Sequence, residues 1–318
     1  MLELLKCDCT EDEKQQLVVL EHEIARHLPL NGQIRRLFHG RGGCFHGLKD
    51  VVIDIYPPVV IIYLYAERSD CWIETVIQLL LSQLSDTIEG IIVQRRERSN
   101  GSNQVVWGEV SNRHEAAEEG LKYQLCFDHS QNIGFFPDMA IGRNLVRQRS
   151  QGKRVLNLFA YTCSFSVAAL AGGAEHVVNL DMNRSALDIG KHNHQINCLD
   201  LRSTSFLAME CFKSQSKLRK LGPYDLVICD PPASQGKSFN AQQHWPKLLK
   251  RVVEVVKPKG ELLLCMNGPV RPAQSLDALI EEYLPYAEAV TKFSPNDHNN
   301  DFPDGDRYGE TALRLIQL

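Results

Sequence analysis

Short apolar runs alternate with amphipathic stretches through the second half of the chain. Residues 155–159 (VLNLF) suit a strand buried on both faces, and residues 165–171 carry the small and apolar side chains of a helix packed on a sheet. Gly172 and Gly173 stop that helix, residues 177–180 return as a second buried strand, and Asp181 stands at its carboxyl end. The alternation continues with helices predicted over residues 185–197, 242–256 and 275–284, and strands over 204–208, 224–229, 261–266 and 311–317. This is the pattern of an α/β sheet with helices on its faces. A twisted sheet of that kind opens a ligand crevice at the carboxyl ends of its strands.

The first half reads differently. Thr10 and Glu13 make a capping box ahead of a helix over residues 12–27, in which Leu17, Leu20 and Ile24 recur at helical spacing. Strands are predicted over residues 33–39, 51–56, 59–65 and 90–94, with a helix over 72–84 and a polar loop over 97–104. From Gly120 the pattern changes, and residues 121–127 alternate apolar and polar positions. The expected division is therefore an α+β accessory domain over residues 1–118 and an α/β domain over 119–318.

Composition adds bounds. At 43% hydrophobic and 23% charged residues in 318, the chain reads as an ordinary cytoplasmic protein of about two domains. Its start lacks a signal-peptide pattern, and no segment nears the ~20 uninterrupted apolar residues of a membrane span. Ten scattered cysteines with no CxxC pair indicate reduced thiols and no metal site. The net charge of −4 gives no global attraction to nucleic acid. Locally, three basic clusters stand out: Arg35, Arg36, His39 and Arg41; Arg95, Arg96 and Arg98; Arg143, Arg147, Arg149, Lys153 and Arg154. Each is either a solvated face or part of a phosphate-binding track.

The chemistry of the strand ends narrows the ligand. Asp181 follows Asn157 by 24 positions, close to the ~20 that separate a nucleotide-binding turn from the acid that takes ribose hydroxyls. The turn Ala160-Tyr161-Thr162-Cys163-Ser164 has neither glycine nor a basic residue, which disfavours a dinucleotide's pyrophosphate. S-Adenosylmethionine carries no phosphate and still offers a ribose to Asp181. An α/β domain that merely ends its second strand in Asp shares these features. Glu210, after the third strand, is either an acceptor for an adenine amino group or a solvated loop acid. Asp138 is either the N-cap of a helix over residues 140–148 or, with Arg143, a group facing the crevice. The fourth strand runs into Asp230-Pro231-Pro232, and prolines cannot extend a sheet ladder. The strand must end there, leaving an acid and fixed carbonyls at the sheet edge. Residues 296–309 read as a loop long enough to act as a lid or simply to be mobile.

The stretches GLKYQLCFDHSQNIGFFPD, VLNLFAYTCSFSVAAL, VVNLDMN, YDLVICDPP and DHNNDFPDGDRYGETALRL together resemble the bacterial class I methyltransferase family that modifies large-subunit ribosomal RNA. Some of its members act at cytosine carbon-5 and others at guanine nitrogen-7. The similarity runs from about Arg35 to the C-terminus. It implies a Rossmann-like class I methyltransferase sheet, S-adenosylmethionine as cofactor, an RNA substrate and an N-terminal domain that helps grip it. By position it implies that Phe159, Ala160, Tyr161 and Thr162 line the cofactor, Asp181 binds ribose, Glu210 approaches adenine, and Asp230 with Pro231 and Pro232 faces the target base. Asn157 and Met182 are further expected to contact the cofactor, and Arg143 the substrate. Three departures qualify the match: Cys163 replaces a glycine, Asp138-Met139-Ala140 replaces Asp-x-Arg, and Asn267 takes the position of the cysteine that carbon-5 chemistry requires. Cys229 and Cys265 are expected to be core thiols. The reading that follows is methyl transfer to guanine nitrogen-7 with Asp230 and Asn267 holding the base. The alternatives are a methyltransferase of protein or small molecules and an RNA-binding protein of this fold with weakened catalysis.

Overall fold

The computed structural model describes residues 10–97, 103–128, 132–236, 238–267, 272–293 and 311–318. The chain divides into two units between Pro137 and Asp138. In the first, the Thr10 hydroxyl accepts from the Glu13 N–H at 3.3 Å and the Glu13 carboxylate accepts from the Thr10 N–H at 2.9 Å, so the capping box starts α1 (Glu11–Ala25). Five strands follow in the spatial order β1 (Arg35–His39), β2 (Val51–Tyr56), β3 (Val59–Leu64), β4 (Gly90–Arg95) and β5 (Asn103–Gly108). Only β3 and β4 run parallel, and α2 (Asp70–Leu84) provides the crossover that such a pair needs. Alternate strand residues, among them Ile53, Val60, Ile62 and Val93, pack with Leu20, Ile24, Trp72 and Leu80 of the two helices into one core.

The division falls later than the expected 118/119. β6 (Arg113–Glu118) pairs antiparallel with β7 (Leu121–Cys126), so a boundary at 118 would cut a hairpin at its turn. Glu119 and Gly120 both adopt positive φ, 49° and 77°, as the two central residues of a tight hairpin turn do. A bridge between Gln33 and Ala117 ties the hairpin to the first unit. Cys71 also departs from expectation, being disulfide-bonded rather than reduced.

The second unit begins with α3 (Ala140–Arg149) and is built on a seven-stranded sheet. Its chain order is β8 (Arg154–Leu158), α4 (Ser164–Ala171), β9 (His176–Asp181), α5 (Arg184–Ile196), β10 (Thr204–Ala208), α6 (Gln215–Leu221) and β11 (Tyr224–Cys229). A two-residue ladder, β12 (Ser234–Gln235) with β13 (Phe239–Asn240), precedes α7 (Ala241–Val253), β14 (Val256–Asn267), α8 (Pro272–Tyr283), β15 (Glu288–Phe293) and β16 (Thr311–Gln317). In space the strands run β10-β9-β8-β11-β14-β16-β15, with β16 antiparallel to both neighbours and the rest parallel. The order reverses between β8 and β11. That switch point opens a crevice at their carboxyl ends.

Period-two alternation assigns the faces. Leu156, Leu158, Val178, Leu180 and Cys229 pack with Leu218, Leu248 and Leu276 of α6, α7 and α8, while Val155, Val177, Ile228 and Cys265 pack with Val146 and Phe165 of α3 and α4. Arg149, Lys153 and Arg154 of the third basic cluster belong to the opposite end of the sheet from the crevice. Arg149 and Lys153 each reach the buried Glu261 carboxylate at 2.6 Å, and Arg154 donates to the Leu221 carbonyl. Arg149 and Lys153 tie Glu261 of β14 to the segment that leads from α3 into β8, and Arg154 ties β8 to the end of α6.

Candidate active site

The site is set by what happens where β8 and β9 end. After Leu158 the chain turns through Phe159, Tyr161 and Cys163, whose φ angles are +57°, +47° and +63°. Three left-handed non-glycine residues in five positions are held only where surrounding contacts over-determine them. Asp181, 5% exposed, supplies one such contact: its Oδ2 accepts from the Tyr161 N–H at 2.9 Å and its Oδ1 from the Asn183 N–H at 2.8 Å. The carboxylate thus stands at the strand end, beside the turn, with lone pairs left for further donors. Met182 is 46% exposed next to it.

Beneath the turn lies a buried polar network that the sequence reading did not single out. Asn157 Nδ2 donates to Asn179 Oδ1 at 3.0 Å across β8 and β9. Asn179 Nδ2 donates to Ser166 Oγ of α4 at 3.0 Å, and Ser166 Oγ lies 2.9 Å from Nε2 of His194 in α5. His194 Nδ1 is within 2.6 Å of the Gly190 carbonyl oxygen. A neutral imidazole that donates from Nδ1 and accepts at Nε2 satisfies both contacts, and burial lowers the His194 pKa in keeping with that form. Asn157 is 1% exposed and faces the helices with Val155, so its side chain serves the scaffold and not the crevice as expected. Thr162 is also buried, and its carbonyl accepts from Asn193 Nδ2 at 3.0 Å.

On the far side of the crevice, β11 ends at Cys229 and the chain passes through Asp230, the buried Pro231 and the half-buried Pro232. The β12–β13 ladder then folds toward β9. Gln235 Nε2 comes within 3.4 Å of Asp181 Oδ1, Ser238 Oγ within 3.2 Å of Met182 Sδ, and the Phe239 ring packs edge-on against Phe159 at 4.9 Å. Residues from the Asp230 side and the Asp181 side therefore meet. Glu210, half-buried just past β10, pairs with Lys213 at 2.5 Å.

The remaining expectations resolve unevenly. Arg143, expected to meet the substrate, is 2% exposed within α3. Asn267 ends β14 opposite Thr311, and the 296–309 stretch lies outside the described residues. Cys229 and Cys265 are fully buried on opposite faces of the sheet, and burial, with the nearby Asp230 charge, pushes both thiols well above their ordinary pKa. Neither is poised as a thiolate. Among the described residues no group of three His, Cys, Asp or Glu is placed to hold a metal ion. No described helix is long and apolar enough to cross a membrane.

Comparison with known proteins accords with this geometry. A family model described as S-adenosylmethionine-dependent methyltransferase matches residues 35–315. Ribosomal RNA large subunit methyltransferase K/L from a Shewanella species is 35% identical over 187 residues, covering 56% of this chain and 26% of that protein. Ribosomal RNA large subunit methyltransferase I from Aeromonas hydrophila is 28% identical over 227 residues, covering 68% of this chain and 57% of its own length. The chain thus spans well under two thirds of either relative. A solved Streptococcus mutans structure, described as a proposed SAM-dependent methyltransferase, superposes with a TM-score of 0.84 at 20% identity, covering 98% of this chain and 83% of that one.

Proposed function

The chain belongs to the S-adenosylmethionine-dependent methyltransferase family, and from that premise we propose that it methylates guanine nitrogen-7 of large-subunit ribosomal RNA, in the cytoplasm. The relatives named for ribosomal RNA support the substrate class. S-Adenosylmethionine supplies an electrophilic methyl group on a sulfonium. The donor set suits it: a carboxylate for ribose hydroxyls at Asp181, an exposed thioether at Met182, Glu210 on the neighbouring strand end, and a turn without basic residues at Phe159 to Thr162.

The state of the cysteines carries the choice of base. Methylation at carbon-5 requires a thiolate to add to the pyrimidine ring, and Cys229 at the end of β11 and Cys265 on β14 are buried with raised pKa values. Guanine nitrogen-7 already offers a lone pair and loses no proton on methylation. Its acceptor chiefly needs orientation. In this reading Asp230, with Pro231 and Pro232 fixing its backbone, and Asn267 orient the base. Asp230→Ala is expected to abolish turnover while Cys265→Ala leaves it within a few fold. The reverse pattern would replace this mechanism with a cysteine adduct.

A further inference from the structure

We propose that Asn193 of α5 is a positioning residue for the cofactor turn, an inference that rests on reading residues 159–163 as that turn. The turn's own sequence does not favour its shape. Glycine adopts left-handed φ without strain, yet the residues that adopt it here are Phe159, Tyr161 and Cys163. Their neighbours impose the conformation. The Ala160 N–H donates to the Leu180 carbonyl at 3.0 Å, the Tyr161 N–H to Asp181 at 2.9 Å, and the Cys163 N–H back to the Ala160 carbonyl at 2.7 Å. These bonds hold N–H groups on strand and turn. None of them holds the carbonyl of Thr162, which lies between two left-handed residues.

Asn193 does so. Its side-chain amide, on a residue with no exposed surface, donates to the Thr162 oxygen at 3.0 Å. Fixing that carbonyl fixes the peptide plane between Thr162 and Cys163, and hence how Tyr161 and Thr162 are presented at the strand end. The same helix receives Cys163: a Cβ placed on Gly190 would meet Cys163 Sγ at 2.4 Å. Gly190 and Asn193 are three apart and share a helical face. One face of α5 thus supplies both the space and the donor that the turn requires.

The test measures binding of S-adenosylhomocysteine to the full-length protein by calorimetry, with thermal unfolding of the same samples. Asn193→Ala is expected to weaken binding about 10-fold, and Asn193→Asp further, because a carboxylate facing the Thr162 carbonyl accepts where a donor is needed. Adding Cys163→Gly to Asn193→Ala is expected to recover most of the lost affinity, since glycine takes the left-handed angle unaided. A purely structural role for Asn193 would lower the unfolding temperature and show no such recovery. Affinity within twofold of wild type in Asn193→Ala, or no recovery in the double variant, overturns the proposal. If Asn193→Ala fails to fold, Asn193→Leu, close in volume but with no donor, is measured in its place, with the same thresholds. Wild-type protein that does not bind S-adenosylhomocysteine would overturn the cofactor reading itself, an outcome separate from these.

Discussion

The side chain of Cys163 occupies the space that any side chain on Gly190 would need, since a Cβ there would lie 2.4 Å from Cys163 Sγ and 2.9 Å from its Cβ. The two residues are matched across the contact between turn and helix. Gly190→Ala is expected to destabilise the protein by ~1–3 kcal/mol through overpacking, and Cys163→Gly in the same chain to relieve most of that loss. A double-mutant cycle by urea denaturation measures the coupling. Strict additivity of the two changes would show that the contact does not constrain either residue.

Asp181 is the group on which the turn and the strand end converge. Asp181→Asn puts an amide N–H₂ where one of two backbone N–H groups, from Tyr161 or Asn183, now finds an acceptor. Binding of S-adenosylhomocysteine is expected to weaken at least ~10-fold. Gln235→Glu is expected to weaken it as well, by setting a second carboxylate against Asp181 Oδ1. Titration calorimetry reads both, and unchanged affinity in Asp181→Asn would remove this carboxylate from the cofactor site.

The buried imidazole makes stability depend on pH. Burial lowers the folded-state pKa of His194, so the unfolded chain binds the proton more readily. The contribution is complete above the unfolded value of about 6.5 and is lost as pH falls from there through the folded pKa, with a slope of at most ~1.4 kcal/mol per pH unit. His194→Gln is expected to flatten this part of the profile in denaturation between pH 7.5 and 5. An unaltered slope would mean that other groups set it.

Thiol reactivity separates core from surface. Cys198 is exposed, whereas Cys163, Cys229 and Cys265 are buried with pKa values raised chiefly by burial. In the native protein at pH 7.5, alkylation followed by mass spectrometry is expected to modify Cys198 and spare these three until denaturant is added. Rapid native labelling of Cys265 would show an accessible thiolate and favour the adduct chemistry.

The sequence made the ends of strands legible. The apolar runs before Asp181 and Asp230 have the length and composition of buried strands, so both acids fall at strand ends in the structure as the pattern requires. Gly120 misled because a glycine marks both a domain break and a hairpin turn, and β6 (RHEAAE) has too few apolar positions to announce itself as a strand. Chain position alone sets Arg143 and Asn157 near the crevice, and it does not reveal that both side chains are buried, at 2% and 1% exposure. Asn193 and Gly190 carried no local signal. A polar residue and a glycine in an amphipathic helix acquire meaning only from the turn that packs on them.

The central claim, methyl transfer to guanine nitrogen-7 without a cysteine adduct, is tested most directly by incubating the protein with radiolabelled S-adenosylmethionine and RNA from cells lacking its gene, then identifying the labelled nucleoside after digestion. The account predicts label in 7-methylguanosine, retained with Cys265→Ala. Label in 5-methylcytidine, lost with Cys265→Ala, would contradict it, and label in protein or small molecules with none in RNA would move the substrate out of nucleic acid altogether.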